Sequence, residues 1–127
     1  MKGLQKFRNS RELGLQQESL ALSYLQNKGL ELVKRNYRSR WGEIDLIMLQ
    51  PPAILVFVEV RFRKSSSFGS AKESITRPKQ QRIKRTAAYF LLRHKKFQQL
   101  VSRFDVVAVA TEQSGETCLD WIQHAFY

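Results

Sequence analysis

Cysteine is almost absent from the chain. Cys118 is the single one, so no internal disulfide can form and no thiolate cluster can hold a metal. It reads as a small buried hydrophobe near the C-terminal end. Long apolar runs are missing as well. The longest, Ala53 to Val58, is far below the roughly 20 residues that a membrane helix requires. No secretory apolar segment follows Lys2 and Lys6. These shortages predict a soluble protein in a reducing, cytoplasmic setting with no membrane partner. Histidine is scarce too, and His94 and His124 stand alone in sequence, so both are expected at the surface and not as ligands. Acidic residues are the last shortage: 11 Asp and Glu stand against 22 Lys and Arg, for a net charge of +11.

That imbalance is informative because the positive residues are grouped. Lys34, Arg35, Arg38 and Arg40 form one group; Arg61, Arg63 and Lys64 a second; Arg77, Lys79, Arg82, Lys84 and Arg85 a third; Arg93, Lys95 and Lys96 a fourth. Grouped cations attract a phosphate backbone and release its condensed counterions on binding. Nucleic acid, DNA or RNA, is the expected partner. The residues expected on its phosphates are Arg35, Arg38, Arg40, Arg63, Lys64, Arg82 and Arg85, and Trp41 or Tyr37 is a candidate to stack on an unpaired base.

With 43% apolar residues over 127 positions, the chain builds one globular domain, residues 1–127, with 1–10 expected as a flexible tail. Residues 11–28 read as a helix with an apolar stripe of Leu15, Ala21, Leu22 and Leu25, stopped by a left-handed Gly29. Residues 30–37 form a short strand, 38–42 a loop and 43–49 a second strand. Pro51-Pro52 breaks the chain before a β-prone strand over 53–63. A Ser- and Gly-rich loop covers 65–70. A second helix starts near Arg77, with Pro78 in its first turn and a stripe of Ile83, Ala87, Phe90 and Leu91, and frays near His94. Residues 104–111 are apolar enough for a strand buried on both faces, and 116–122 suit a last edge strand. The fold class is α/β (α+β): helices on a mixed central sheet, in the order α-β-β-β-α-β-β.

Pro-Pro cannot make a two-residue hairpin turn. An odd-numbered loop centred on Pro52 sets Asp45 opposite Glu59 and Glu43 opposite Arg61, with Glu43, Asp45, Ile47 and Leu49 on one strand face. Two adjacent carboxylates repel unless a cation lies between them, and oxygen donors of this kind suit Mg²⁺ or Mn²⁺. Cross-strand ion pairs with Arg61 and Arg63 are the plainer alternative. Glu18 lies on the apolar stripe of the first helix, where a carboxylate is costly unless partnered. Lys79 lies on the core side of the second helix, where a snorkelling stem is the plainer reading.

Gly42-Glu43-Ile44-Asp45-Leu46-Ile47, Phe57-Val58-Glu59-Val60-Arg61, Arg103-Phe104-Asp105-Val106-Val107, and the closing Trp121-Ile122 and Ala125-Phe126 resemble the YraN-like family of bacterial proteins. That family is assigned to the PD-(D/E)XK, restriction-endonuclease-like nuclease superfamily. The resemblance runs from the Glu18 helix to Phe126. It implies a metal-dependent endonuclease with Asp45 and Glu59 as metal ligands, Glu18 as the acid of the first helix, and a lysine two residues after Glu59. Arg61 stands there instead. An arginine stays protonated and cannot act as a general base, though it can stabilise phosphate charge. Either the lysine role passes to Lys79, with Gln80 or Gln81 beside it, or the protein is a non-catalytic nucleic-acid-binding module. A metal-free, ribosome-associated basic protein is a more distant reading. Junction-cutting enzymes of this superfamily suggest, by analogy, a homodimer.

Overall fold

The computed structural model describes residues 10–63, 73–112 and 114–127. Lys64, the loop over 65–70 and all of the expected tail except Ser10 lie outside the described residues. The elements are α1 (Ser10–Asn27), β1 (Glu31–Ser39), β2 (Gly42–Gln50), β3 (Ile54–Arg63), α2 (Arg77–Arg93), a 3-10 turn (Lys95–Phe97), β4 (Val101–Thr111) and β5 (Thr117–Phe126). The architecture is α+β: five strands in the order β1-β2-β3-β4-β5, with two helices against them. All neighbours are antiparallel except β3 and β4, whose parallel pairing is bridged by α2. A parallel pair needs a crossover of about a dozen residues or more, which α2 supplies. No helix among the described residues is long and apolar enough to cross a membrane.

Local chemistry explains the boundaries. At the end of α1, Gly29 takes φ +97°, Gly29 N–H donates to Gln26, and Leu30 N–H reaches back to the Leu25 carbonyl at 3.1 Å. This reversal satisfies the last carbonyls of the helix, and Leu25 and Leu30 close it within one core cluster. Thr76 caps α2, its hydroxyl accepting from Lys79 N–H at 3.3 Å, so the cap fixes the turn that carries Lys79. Three residues, Pro51 to Ala53, connect β2 to β3, and Gln50 pairs with Ile54.

The core lies on both faces of the sheet. On one, Ile44, Ile47, Phe57 and Val106 meet Ile83, Ala87 and Phe90 of α2. On the other, Leu46, Met48, Val56, Val58, Val107 and Val109 meet Ala21 and Leu25 of α1. The continuous burial of Asp105 to Ala110 follows from β4 lying between β3 and β5 and under both clusters.

Several expectations are corrected. Leu15 does not join the buried stripe: it is 38% exposed, because α1 meets the sheet through Ala21 and Leu25 further along. The loop over 38–42 shrinks to Arg40 and Trp41, since Ser39 pairs with Gly42. Ser39 Oγ accepts from Trp41 N–H at 3.1 Å and lies 2.8 Å from the buried Thr86 hydroxyl of α2, which pins the turn to the helix. β5 runs four residues further than expected, to Phe126, for a reason that lies in Asp105. Cys118 is half-buried, and His94 is half-buried with its ring stacked on Phe90 at 4.1 Å.

Candidate functional site

The β2–β3 register is the one centred on Pro52. Paired residues run from Gln50↔Ile54 to Leu46↔Val58, so the regular pairing ends one step before Asp45 and Glu59. The strict alternation expected along β2 breaks there. Ile44 packs with Ile47 on the α2 face, whereas Leu46 and Met48 pack on the α1 face. Asn36, at positive φ (55°), faces this point on β1. The Asp45 carboxylate turns towards β3 and accepts from Val60 N–H at 2.8 Å, filling a place a strand carbonyl would take. Glu43 does not pair with Arg61; it pairs with Arg38 on β1 at 3.6 Å.

Both helices bring side chains to this break. Glu18 of α1, only 15% exposed at its side chain, meets the Asp45 carboxyl within hydrogen-bond reach. Arg35 Nε lies 3.8 Å from Glu18. With its amide nitrogen turned to the acids, Asn36 donates to Glu18 at 2.8 Å and to Glu43 at 3.0 Å. From the other side, Lys79 Nζ lies 3.4 Å and Arg61 Nε 3.9 Å from one oxygen of Glu59, which is buried. Arg61 also donates to the Ser74 carbonyl at 3.2 Å. Glu18, Asp45, Glu59, Arg61 and Lys79 are therefore brought together from four elements, α1, β2, β3 and α2. Glu43 and Asn36 join them, and neither was among the candidates. Glu43 could have been found by its place two residues before Asp45; Asn36 carried no signal in sequence. Gln80 is turned away, donating to the Ile75 carbonyl.

The acids raise one another's proton affinity. Burial first, then the charge of Asp45 and a hydrogen bond that the Glu18 carboxyl donates to it, push Glu18 up to about 7; Glu43 adds to this and Arg35 opposes it. Burial and the charge of Asp45 push Glu59 up to about 7 against the pull of Lys79 and Arg61. Burial also raises Asp45, opposed by the Val60 N–H and Lys79. A folded-state pKa above the unfolded one gives stability that is present at low pH and lost as pH rises through the folded value. Glu18→Gln should therefore stabilise the metal-free protein by roughly 1 kcal/mol at about pH 8 and not at about pH 5. Melting temperatures in EDTA at the two pH values check this; a gain of equal size at both would remove the charge repulsion from the account.

Among the described residues, no three His, Cys, Asp or Glu side chains converge closely enough to hold a metal by themselves. The protein's own donor set is therefore at most a pair of carboxylates, to be completed by water and substrate oxygens. Mg²⁺ commonly binds through one or two carboxylates, waters and substrate phosphates, so these residues fit it better than a closed protein cage would. Asp105 is fully buried, and both its oxygens are taken up by Arg103, Trp121 and the His124 N–H. It has no free acceptor to offer a ligand.

The expected phosphate contacts divide. Arg38, Arg40, Arg82 and Arg85 are exposed. Arg35 is half-buried and spends its guanidinium on the Leu15 carbonyl and Ser19 Oγ, each at 2.8 Å. Arg63 is half-buried at the end of β3. A cavity of about 220 Å³ is lined by Glu18, Asn36 and Glu43 together with Arg11 and Arg38. Tyr37 packs edge-on against Phe90 at 5.1 Å and is committed to the core; Trp41 lies edge-on to Tyr89 at the surface side of α2.

Residues 17–109 match the model of the "Uncharacterised protein family UPF0102". The chain belongs to that family. It is 51% identical to the UPF0102 protein of Saccharophagus degradans over 91% of this chain and 92% of the relative. It is 46% identical to a UPF0102 protein of Cupriavidus necator over 98% and 90%, and 45% identical to that of Nitrosococcus oceani over 91% and 92%. The UPF0102 match spans α1 from just before Glu18 to nearly the end of β4, and so contains every residue of the acid cluster.

Proposed function

We propose that this UPF0102 protein is a metal-dependent nuclease that hydrolyses phosphodiester bonds in DNA or RNA, with Mg²⁺ or Mn²⁺ held by Asp45 and Glu59. The observation that carries the reading is the meeting of Glu18, Asp45 and Glu59 at the break between β2 and β3, with Lys79 and Arg61 on the same Glu59 oxygen. Glu59 is buried and Glu18 and Asp45 are half-buried, so their charges are costly together without a cation between them, while the protein around them carries an excess of 11 positive charges suited to a polyanion. When bound, the metal would lower the pKa of its water and offset charge on the attacked phosphate.

The chain's own groups supply the rest. Glu18, with proton affinity raised into the neutral range, is placed to take a proton near Asp45. Arg61 Nε is buried without a hydrogen-bond acceptor, a donor that a phosphate oxygen would satisfy. Lys79 reaches the acids from α2, so a lysine is present although β3 carries arginine at the expected position. Exposed Arg38, Arg40, Arg82 and Arg85 would hold flanking phosphates.

The test is cleavage of linear, single-stranded, flapped and four-way-junction DNA and RNA in EDTA, Mg²⁺ or Mn²⁺. Cleavage that requires the metal and disappears in Asp45→Asn is the expected result. Retardation of every substrate with cleavage of none would replace the nuclease by a binding module, the reading that Arg61 favours. Lys79→Met should lower the cleavage rate by about a hundredfold, and Lys79→Arg should not restore it if the group must exchange a proton. Restoration by arginine would limit Lys79 to charge stabilisation.

A further inference from the structure

The β1–β2 turn and the outer face of α2 form a second feature, distinct from the acid cluster. Trp41 and Tyr89 stand edge to face with ring centroids 5.8 Å apart. The Arg40 guanidinium lies 4.8 Å over the Trp41 ring, and that of Arg93 lies 5.6 Å over the Tyr89 ring. An open groove of about 510 Å³ runs beside them, walled by Trp41, Tyr89, Ala88 and Leu92 with Arg85 at its edge. Leu92 is 70% exposed. Both rings are half-buried, and the Ser39–Thr86 hydroxyl contact ties the β1–β2 turn to α2, the two elements that carry them.

Arg38 joins the two features. It lines the acid cavity with Glu18 and Glu43, and it also lines a second cavity of about 450 Å³ with Ser39, Arg40, Trp41 and Tyr89. A chain of phosphates following the exposed guanidiniums of Arg38, Arg40 and Arg85 would place its bases against the rings. We propose that Trp41 and Tyr89 form a stacking platform for an unpaired nucleobase, so that the substrate is a nucleic acid with a single-stranded segment beside the scissile bond. This rests on the nuclease reading for the acid cluster, and it adds the class of substrate. A duplex keeps its bases stacked on one another and offers only backbone to such rings. A single strand offers the π-face of each base, and arginines around the rings complement its phosphates.

The test is binding without cleavage, in EDTA, using fluorescein-labelled oligothymidylate, oligouridylate and a blunt duplex of equal length. Anisotropy is read for the wild type and for Trp41→Ala, Trp41→Phe and Tyr89→Ala, with melting temperatures confirming that each variant is folded. The expected result is a loss of roughly tenfold in single-strand affinity for each alanine variant, little change for the duplex, and recovery in Trp41→Phe. Equal losses on single strand and duplex would reduce the platform to a generic basic surface. An unchanged single-strand affinity, or a change in oligomeric state in place of it, would give the groove to a second copy of the chain. Either result overturns the platform and leaves the nuclease standing, whereas failure to bind any of the three probes removes both.

Discussion

Asp45→Asn is expected to abolish metal-dependent cleavage, by roughly a thousandfold or more, while making the metal-free protein more stable at alkaline pH. The two effects have opposite signs because they share one cause. Burial first and the charge of Asp45 second raise Glu18 and Glu59 to about 7 each, so removing that charge lets both neighbours ionise at lower cost. The asparagine oxygen can still accept from Val60 N–H, so the strand contact at 2.8 Å survives. The same charge is what a divalent cation would be bound by. Mn²⁺ should raise the melting temperature of the wild type, by an amount equivalent to about 2.7 kcal/mol at a hundred times its dissociation constant, and leave Asp45→Asn unmoved. A variant that is destabilised at every pH and still shifts with Mn²⁺ would place the metal elsewhere.

Asp105→Ala is expected to cost about 3–5 kcal/mol of folding stability, read from urea denaturation. The carboxylate is completely buried and accepts four bonds: Nε and Nη2 of Arg103 at 2.9 Å each, Trp121 Nε1 at 2.8 Å and His124 N–H at 2.9 Å. Removing it strands the Arg103 charge, whose side chain is 13% exposed, and two further donors. Asparagine should be nearly as harmful, because each carboxylate oxygen takes two donors and either amide orientation turns an NH₂ group against two of them. The contact also explains the shape of β5. The register slips between Phe104↔Phe126 and Val106↔Ile122, and Asp105 occupies the gap by holding the backbone of His124 at positive φ. The strand then continues to Ala125 and Phe126, which close the core. A cost below about 1 kcal/mol would show that the network is solvated and that β5 is held by its apolar end alone.

These two carboxylates separate what is legible in sequence from what is not. The element types and their order could be read because each depends on near neighbours: apolar periodicity, the reversal at Gly29, the Pro51-Pro52 break, the β-rich run after it. Symmetry about Pro52 was enough for the β2–β3 register, because a hairpin ties pairing to loop length. The charge clusters pointed to a polyanion with no knowledge of the fold. The chemistry of single residues, above all an acid on an apolar stripe at Glu18, pointed to Glu18, Asp45, Glu59 and Lys79, the family resemblance added Arg61, and the fold then gathers all five.

Tertiary structure decided where side chains that are distant in sequence are spent. Arg35 looked like a phosphate contact and is held by α1. Asp105 looked like part of a motif and is a saturated structural anion. Glu43 joined the acids through Asn36, whose positive φ no composition rule predicts. Trp41 and Tyr89 meet where the β1–β2 turn is tied to α2, through Ser39 and Thr86, 47 residues apart. Periodicity and turn chemistry are local and additive, so the chain displays them directly. Burial, charge pairing and the break in the sheet at Asp45 depend on which surfaces meet, and only the folded chain determines that.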